Sequence, residues 1–306
     1  MTPYPGNVSI CFEYRNNNRN LSESRHYLST KNGAITPGCD LYMPRDTRQL
    51  NAMSVIRRFT RSCVIFLLGS ESRRRTIVRG LASGYRMNIS PAEKLGYLLG
   101  TDEPHLQKAI RKHVVAGDTV YDIGANVGYV SLSLAKRVGP TGRVIAFEPI
   151  PSSAEAFRQN IKINGITNVQ LLNLAASDKS GEAVIRMTEN LATASLVWHR
   201  NEPSATELRV RTAAIDELVN AGEFGLPGFV KIDVEGAEGN VLQGMRRTIA
   251  AARPVLFVEC SDAGREQTWH LLAELNYRCH SAFTGMPIST FEQYRHSDFL
   301  WLPAHS

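Results

Sequence analysis

From Thr119 onward the chain alternates short apolar runs with amphipathic stretches, each closed by a turn signal, and few architectures admit this rhythm. Thr119 to Ile123, Arg143 to Phe147, Val169 to Leu174, Phe229 to Ile232 and Val255 to Val258 have the length and apolar content of buried strands. Between them Val127 to Val138, Ser152 to Asn164, Ala214 to Ala221, Glu238 to Ala252 and Arg265 to Leu275 have helical spacing, with Ser152 predicted as an N-cap. Strands this apolar are covered on both faces, so the pattern predicts a doubly wound α/β fold with a mostly parallel sheet. Glu182 to Met187 with Leu208 to Thr212 is predicted as an added hairpin, and Tyr277 to Phe283 with Phe299 to Leu302 as a closing one.

The part before this rhythm differs in character. Residues 1–50 are rich in Asn, Arg, Ser and Pro without a sustained period, and are predicted to be a poorly ordered leader. Residues 51–116 mix apolar clusters with basic groups and are predicted as a helical lead-in, with a helix over His105 to Val115; residues 117–306 make the ligand-binding domain. Residues 1–116 hold 18 Lys and Arg against 8 Asp and Glu, and the remainder 17 against 21. A front end of that sign attracts phosphorylated ligands, acidic glycans, nucleic acid or a membrane surface, or is simply solvated.

Five cysteines, Cys11, Cys39, Cys63, Cys260 and Cys279, are scattered and odd in number, the pattern of reduced thiols in a cytoplasmic protein. The apolar run Cys63 to Leu68 is too short to span a bilayer. Peripheral membrane contact through its flanking arginines is a minor alternative.

In doubly wound sheets ligands bind beyond the carboxyl ends of the strands, where strand order reverses, so strand tips are the positions to inspect. The first strand ends in Asp122-Ile123-Gly124-Ala125-Asn126-Val127-Gly128, whose glycines let backbone pass close to a ligand at a helix start. The dinucleotide glycine spacing is absent, and Asp122 at the tip would repel phosphate and favour a cation. The second strand ends in Phe147-Glu148-Pro149, where a carboxylate has the acceptors to hold two ribose hydroxyls. After the third comes Ala175-Ala176-Ser177-Asp178, which either borders an adenine ring or is an ordinary turn. The fourth, Lys231-Ile232-Asp233-Val234-Glu235-Gly236-Ala237-Glu238, carries three carboxylates at its tip. Asp233 and Glu235 are candidates for general-base chemistry, because like charges at that spacing raise a pKa. Glu238 is expected instead to complement the next helix N-terminus.

These segments, Val120 to Tyr129, Ala146 to Pro149, Ala175 to Asp178 and Phe229 to Glu238, together resemble the FkbM family of S-adenosylmethionine-dependent methyltransferases in order and spacing. The resemblance implies a class I (Rossmann-like) methyltransferase fold, with a mostly parallel seven-stranded sheet, one antiparallel strand and helices on both faces. It implies S-adenosyl-L-methionine as cofactor, held by Asp122, Gly124, Ala125, Asn126, Gly128, Glu148, Ser177, Asp178 and Asp233, and methyl transfer to a hydroxyl of a sugar, glycan or other small-molecule acceptor. The Asp122 to Gly128 loop would take the methionine part, Glu148 the ribose and Asp178 the adenine end. Asp233 or Glu235 is the expected catalytic group, with His199, His280 and His296 as lesser candidates. No resident metal is expected; a Mg²⁺ route through Asp233 with Glu259 or Asp262 is the alternative. A nucleic-acid methyltransferase using the basic front end and a catalytically idle binding protein are the competing readings.

Overall fold

The computed structural model describes residues 69, 71–187, 194–195, 206–261, 264–293 and 297–304. Its contacts divide the chain into two units, 1–59 and 60–306, and every described residue belongs to the second. The expected leader at 1–50 lies outside the described residues.

Within the lead-in, predicted to be helical, the first described element is a hairpin. β1 (Arg73–Thr76) pairs antiparallel with β2 (Arg86–Ile89), and helices α1 (Pro91–Leu99) and α2 (Pro104–His113) follow. The reason is burial at period two: Met87 and Ile89 turn inward against Leu98, Tyr129 and Leu132, while Arg86 and Asn88 face out. A basic composition hid that alternation from a helical reading.

Next come β3 (Thr119–Ile123), α3 (Tyr129–Val138), β4 (Arg143–Phe147), α4 (Pro151–Asn164) and β5 (Val169–Leu172). They are followed by β6 (Ala175–Ala176), β7 (Gly181–Met187), β8 (Ala194–Ser195), β9 (Thr206–Ala213) and α5 (Ile215–Asn220). The chain continues through β10 (Phe229–Asp233), α6 (Glu238–Gly244), α7 (Arg246–Ala252), β11 (Val255–Glu259), α8 (Arg265–Glu274), β12 (Tyr277–Ser281), β13 (Pro287–Ile288) and β14 (Asp298–Pro303).

The main sheet has eight strands in the order β13-β12-β14-β11-β10-β3-β4-β5. Seven match the expected class I pattern, with β14 running antiparallel to β11 and β12; the eighth is the two-residue edge strand β13. Alternation along the central strands divides the core into two layers. Tyr121, Ile123, Ile145, Phe147, Val230 and Ile232 enter one, and Val120, Val144, Phe229 and Phe257 the other. The added hairpin is β7 with β9, which with β6 and β8 forms a separate four-stranded sheet. Strand order reverses between β3 and β10, so the crevice opens beyond their carboxyl ends.

Two local expectations are corrected. α4 starts at Pro151, which leaves Ile150 rather than Ser152 at the cap position, because proline's fixed φ suits the first helical turn. Glu238 to Ala252 is two helices broken at Met245 (φ −122°). The Asp216 carboxylate, more than thirty residues earlier in the chain, accepts the Arg247 and Thr248 backbone N–H groups at 2.9 and 2.7 Å and so caps α7 from outside. Gly244 lies so close to Ser177 that a Cβ there would sit 1.8 Å from its carbonyl oxygen. Cys260 and Cys279 are both buried. Among the described residues no helix is long and apolar enough to cross a membrane.

Candidate active site

A solvent-open cavity of about 710 Å³ lies at the switch point. Its walls come from the tips of three strands: Ile123, Gly124 and Asn126 after β3, Phe147 to Ile150 after β4, and Asp233 to Glu235 after β10. The small sheet adds Ala175, Ala176 and Ile185. Its mix of apolar walls with a few carboxylates is that of a cofactor site.

Glu148 is the acid in it that two backbone donors hold. The side chain is 4% exposed, and its two oxygens accept the backbone N–H groups of Asn126 (2.7 Å) and Ile150 (2.8 Å). Burial pushes its carboxyl up, and the two backbone donors oppose that. The same bonds fix the loop after β3 to the loop after β4. Each carboxylate oxygen retains a lone pair for a hydroxyl donor.

Asp122 does not line the cavity. It is fully buried, 0% exposed, accepts the Ser131 hydroxyl at 2.5 Å, and has Lys231 Nζ 3.6 Å from its other oxygen. Strand geometry explains this: Asp122 lies between Tyr121 and Ile123, so it points to the opposite face from them, toward α3. Burial raises its carboxyl, and Lys231 opposes the rise. A direct contact to a bound cation, expected from its position at the tip, is therefore replaced by an internal charge network.

Lys231, quoted in the sequence motif but given no role, is the centre of that network. It donates to the Gly124 carbonyl at 2.7 Å and pairs with Asp233 at 3.1 Å. Burial alone would lower its ammonium, but Asp233 and Asp122 outweigh it and hold it above the usual lysine range. The signal available in the sequence was a lysine inside the otherwise apolar run Phe229 to Ile232.

Asp233 and Glu235 both border the cavity. Glu235 has a left-handed backbone (φ 49°), as does Asn126 (φ 49°), and non-glycine residues in that region concentrate at functional sites. Burial, then Asp233 and Glu238, raise the Glu235 carboxyl. Glu238 is buried at the first turn of α6 and accepts the Gly236 N–H at 2.8 Å, the helix-start position expected of it. Glu259 pairs in register with Asp233 across β10 and β11, and its carboxyl is pushed up to about 8 by burial first and Asp233 second.

Gly124 and Gly128 form the close-approach loop: a Cβ on Gly124 would lie 1.8 Å from the Asp233 carbonyl oxygen, and one on Gly128 2.1 Å from Phe157. Ala125 is buried behind the loop, against Ala146 and Phe157. Ser177 donates to Asp178, which is exposed, and neither lines the cavity; Ala175, Ala176 and Ile185 take that wall. His280 lies on β12 away from the cavity wall, and His199, His296 and Asp262 lie outside the described residues. Among the described residues no three His, Cys, Asp or Glu side chains converge as metal ligands, so Asp233 and Glu259 find no third partner there.

This geometry fits S-adenosylmethionine. A glycine loop with no room for side chains, an acid with acceptors to spare for hydroxyl donors, and a carboxylate patch that suits a cationic group occupy neighbouring strand tips.

Comparison with known proteins agrees. The pattern of the Methyltransferase FkbM domain matches residues 122–282, just over half of the chain. The hexuronic acid methyltransferase AglP of Haloferax volcanii is 28% identical over 139 residues, 45% of this chain and 54% of that protein. A protein-L-isoaspartate O-methyltransferase of Caenorhabditis elegans is 24% identical over 152 residues, 48% of this chain and 62% of that one. The chain thus spans less than two thirds of the length of these two relatives. The solved FkbM methyltransferase of Methylobacillus flagellatus is similar to 61% of this chain and 43% of its own, with TM-score 0.40 and 18% identity. With the domain pattern running from Asp122 through the β10 tip to the end of β12, the chain belongs to the FkbM family of S-adenosylmethionine-dependent methyltransferases.

Proposed function

We propose that residues 117–306 form a catalytic domain that moves the methyl group of S-adenosylmethionine to a hydroxyl oxygen of a sugar or glycan. The observation that carries the reading is the convergence of Gly124, Glu148, Asp233 and Glu235 on one cavity at the switch point. The hexuronic acid specificity in the name of the Haloferax relative supports a saccharide acceptor, and the basic front end suits an anionic one.

S-adenosylmethionine supplies an already electrophilic methyl, so the protein's work is alignment and proton removal. Glu148 takes the ribose hydroxyls, and the Gly124 to Gly128 loop the methionine part. Asp233, held by Lys231, meets the cationic methionine end and orients the acceptor beside it. Glu235, whose proton affinity is raised by burial and by the neighbouring carboxylates, takes the hydroxyl proton. The wall of Ala175, Ala176 and Ile185 serves the adenine ring in place of Asp178.

The test is transfer of radiolabelled methyl from S-adenosylmethionine to a panel of uronic-acid oligosaccharides, neutral glycans, isoaspartyl peptides and RNA. Label in a saccharide that survives mild alkali is an ether and supports the reading. Alkali-labile label is a carboxyl ester, and label confined to RNA marks a nucleic-acid enzyme; either overturns it.

A further inference from the structure

Within β10 the sequence Phe229-Val230-Lys231-Ile232-Asp233 places a lysine in a strand whose neighbours are core. Lys231 is 5% exposed and is absent from the cavity wall. Its ammonium nevertheless touches both sides of the cavity: it donates to the carbonyl of Gly124 on the β3 loop (2.7 Å) and pairs with Asp233 at the β10 tip (3.1 Å). Behind them it faces Asp122, its register partner on β3, at 3.6 Å. Asp122 Oδ1 is buried with no hydrogen-bond partner, so that ammonium is what compensates its charge.

We propose that Lys231 is a positioning residue that holds the Gly124 loop and Asp233 in register, so that they meet a cationic, methionine-type ligand as one preformed surface. The inference rests on the cofactor reading above. Two carboxylates and one ammonium leave the network with a net charge of minus one, which complements one ligand cation. Without the ammonium, two carboxylates would face each other across a buried strand pair, and one would take up a proton. The Gly124 carbonyl would also lose its donor. Packing alone does not call for a lysine here, since an apolar side chain of similar volume fills such a place at no greater cost. The groups that face Lys231 are Asp122 from β3, Asp233 from its own strand, Tyr97 and Glu103 from the lead-in, Glu148 after β4, Glu235 after β10 and Glu259 from β11, all of them acids. No second ammonium in that set replaces it.

The experiment is calorimetric titration of S-adenosylhomocysteine into the full chain, wild type, Lys231→Met and Lys231→Met/Asp122→Asn, in buffers of different ionisation enthalpy from about pH 6 to about pH 8. The double variant removes the buried charges as a pair, so the core keeps no unmatched ion. Lys231→Met is expected to bind at least about tenfold more weakly and to release close to one additional proton on binding, its affinity rising with pH. The double variant is expected to bind weakly without the additional proton. A folded variant that binds within about threefold of wild type with an unchanged proton count overturns the proposal. Failure of both variants to fold assigns Lys231 to stability and overturns it as well. Wild-type protein that takes up no S-adenosylhomocysteine overturns the cofactor reading itself, a result distinct from both.

Discussion

The carboxylate of Glu148 accepts the backbone N–H of Asn126 at 2.7 Å, which ties the tip of β4 to the glycine loop that follows β3. One side chain thus both joins two walls of the cavity and presents an acceptor to it. Charge-assisted bonds of this kind contribute about 1.5–3 kcal/mol. Glu148→Gln should therefore weaken S-adenosylhomocysteine binding by about 10- to 100-fold in calorimetry. An unchanged dissociation constant would remove Glu148 from the cofactor site.

Gly124 has φ +78°, and a Cβ on it would lie 1.8 Å from the Asp233 carbonyl oxygen. Gly124→Ala combines an unfavourable backbone region with a backbone clash that no rotamer relieves. It should cost about 3 kcal/mol or more, read as a lowered denaturation midpoint at an unchanged slope.

Glu235 borders the cavity with a raised proton affinity and is predicted to accept the hydroxyl proton. On the acceptor identified by methyl transfer, Glu235→Gln should lower kcat by about 10²- to 10⁴-fold. Affinity for S-adenosylhomocysteine should stay within about threefold of wild type. A near-normal kcat would transfer the role elsewhere.

Glu259 and Glu103 carry carboxyls pushed by burial from the ordinary 4.5 up to about 8 and about 7. Their folded-state values exceed the unfolded ones, so the native state holds the extra protons. That stabilisation is complete at pH below 4.5 and is lost as pH rises through about 7 to 8. Glu259→Gln, which mimics the protonated acid, should stabilise the fold more at alkaline pH than at acid pH, by on the order of 1 kcal/mol after solvent screening, read from denaturation at the two pH values. Equal gains at both ends of the range would contradict the assignment.

The order of strands and helices from Thr119 onward, the added and closing hairpins, and the carboxylates at the strand tips were legible in the sequence, because burial at period two or 3.6 and turn chemistry are local properties of the chain. Glu148 and Asp233, which line the cavity, were singled out in this way. The hairpin at β1 and β2 was hidden by its basic composition, and the break at Met245 by the fact that its cap, Asp216, comes from a distant segment.

What the tertiary structure alone decided is the direction in which each tip residue points and what it meets there. Asp122 and Glu148 each lie at the end of a strand, yet one is sealed against Ser131 and Lys231 while the other faces the cavity. The decisive contact, from Lys231 to the Gly124 carbonyl, joins residues 107 positions apart. Such a contact exists only once β10 lies beside β3 in the observed register, since no local period carries information about a partner brought in by chain crossover.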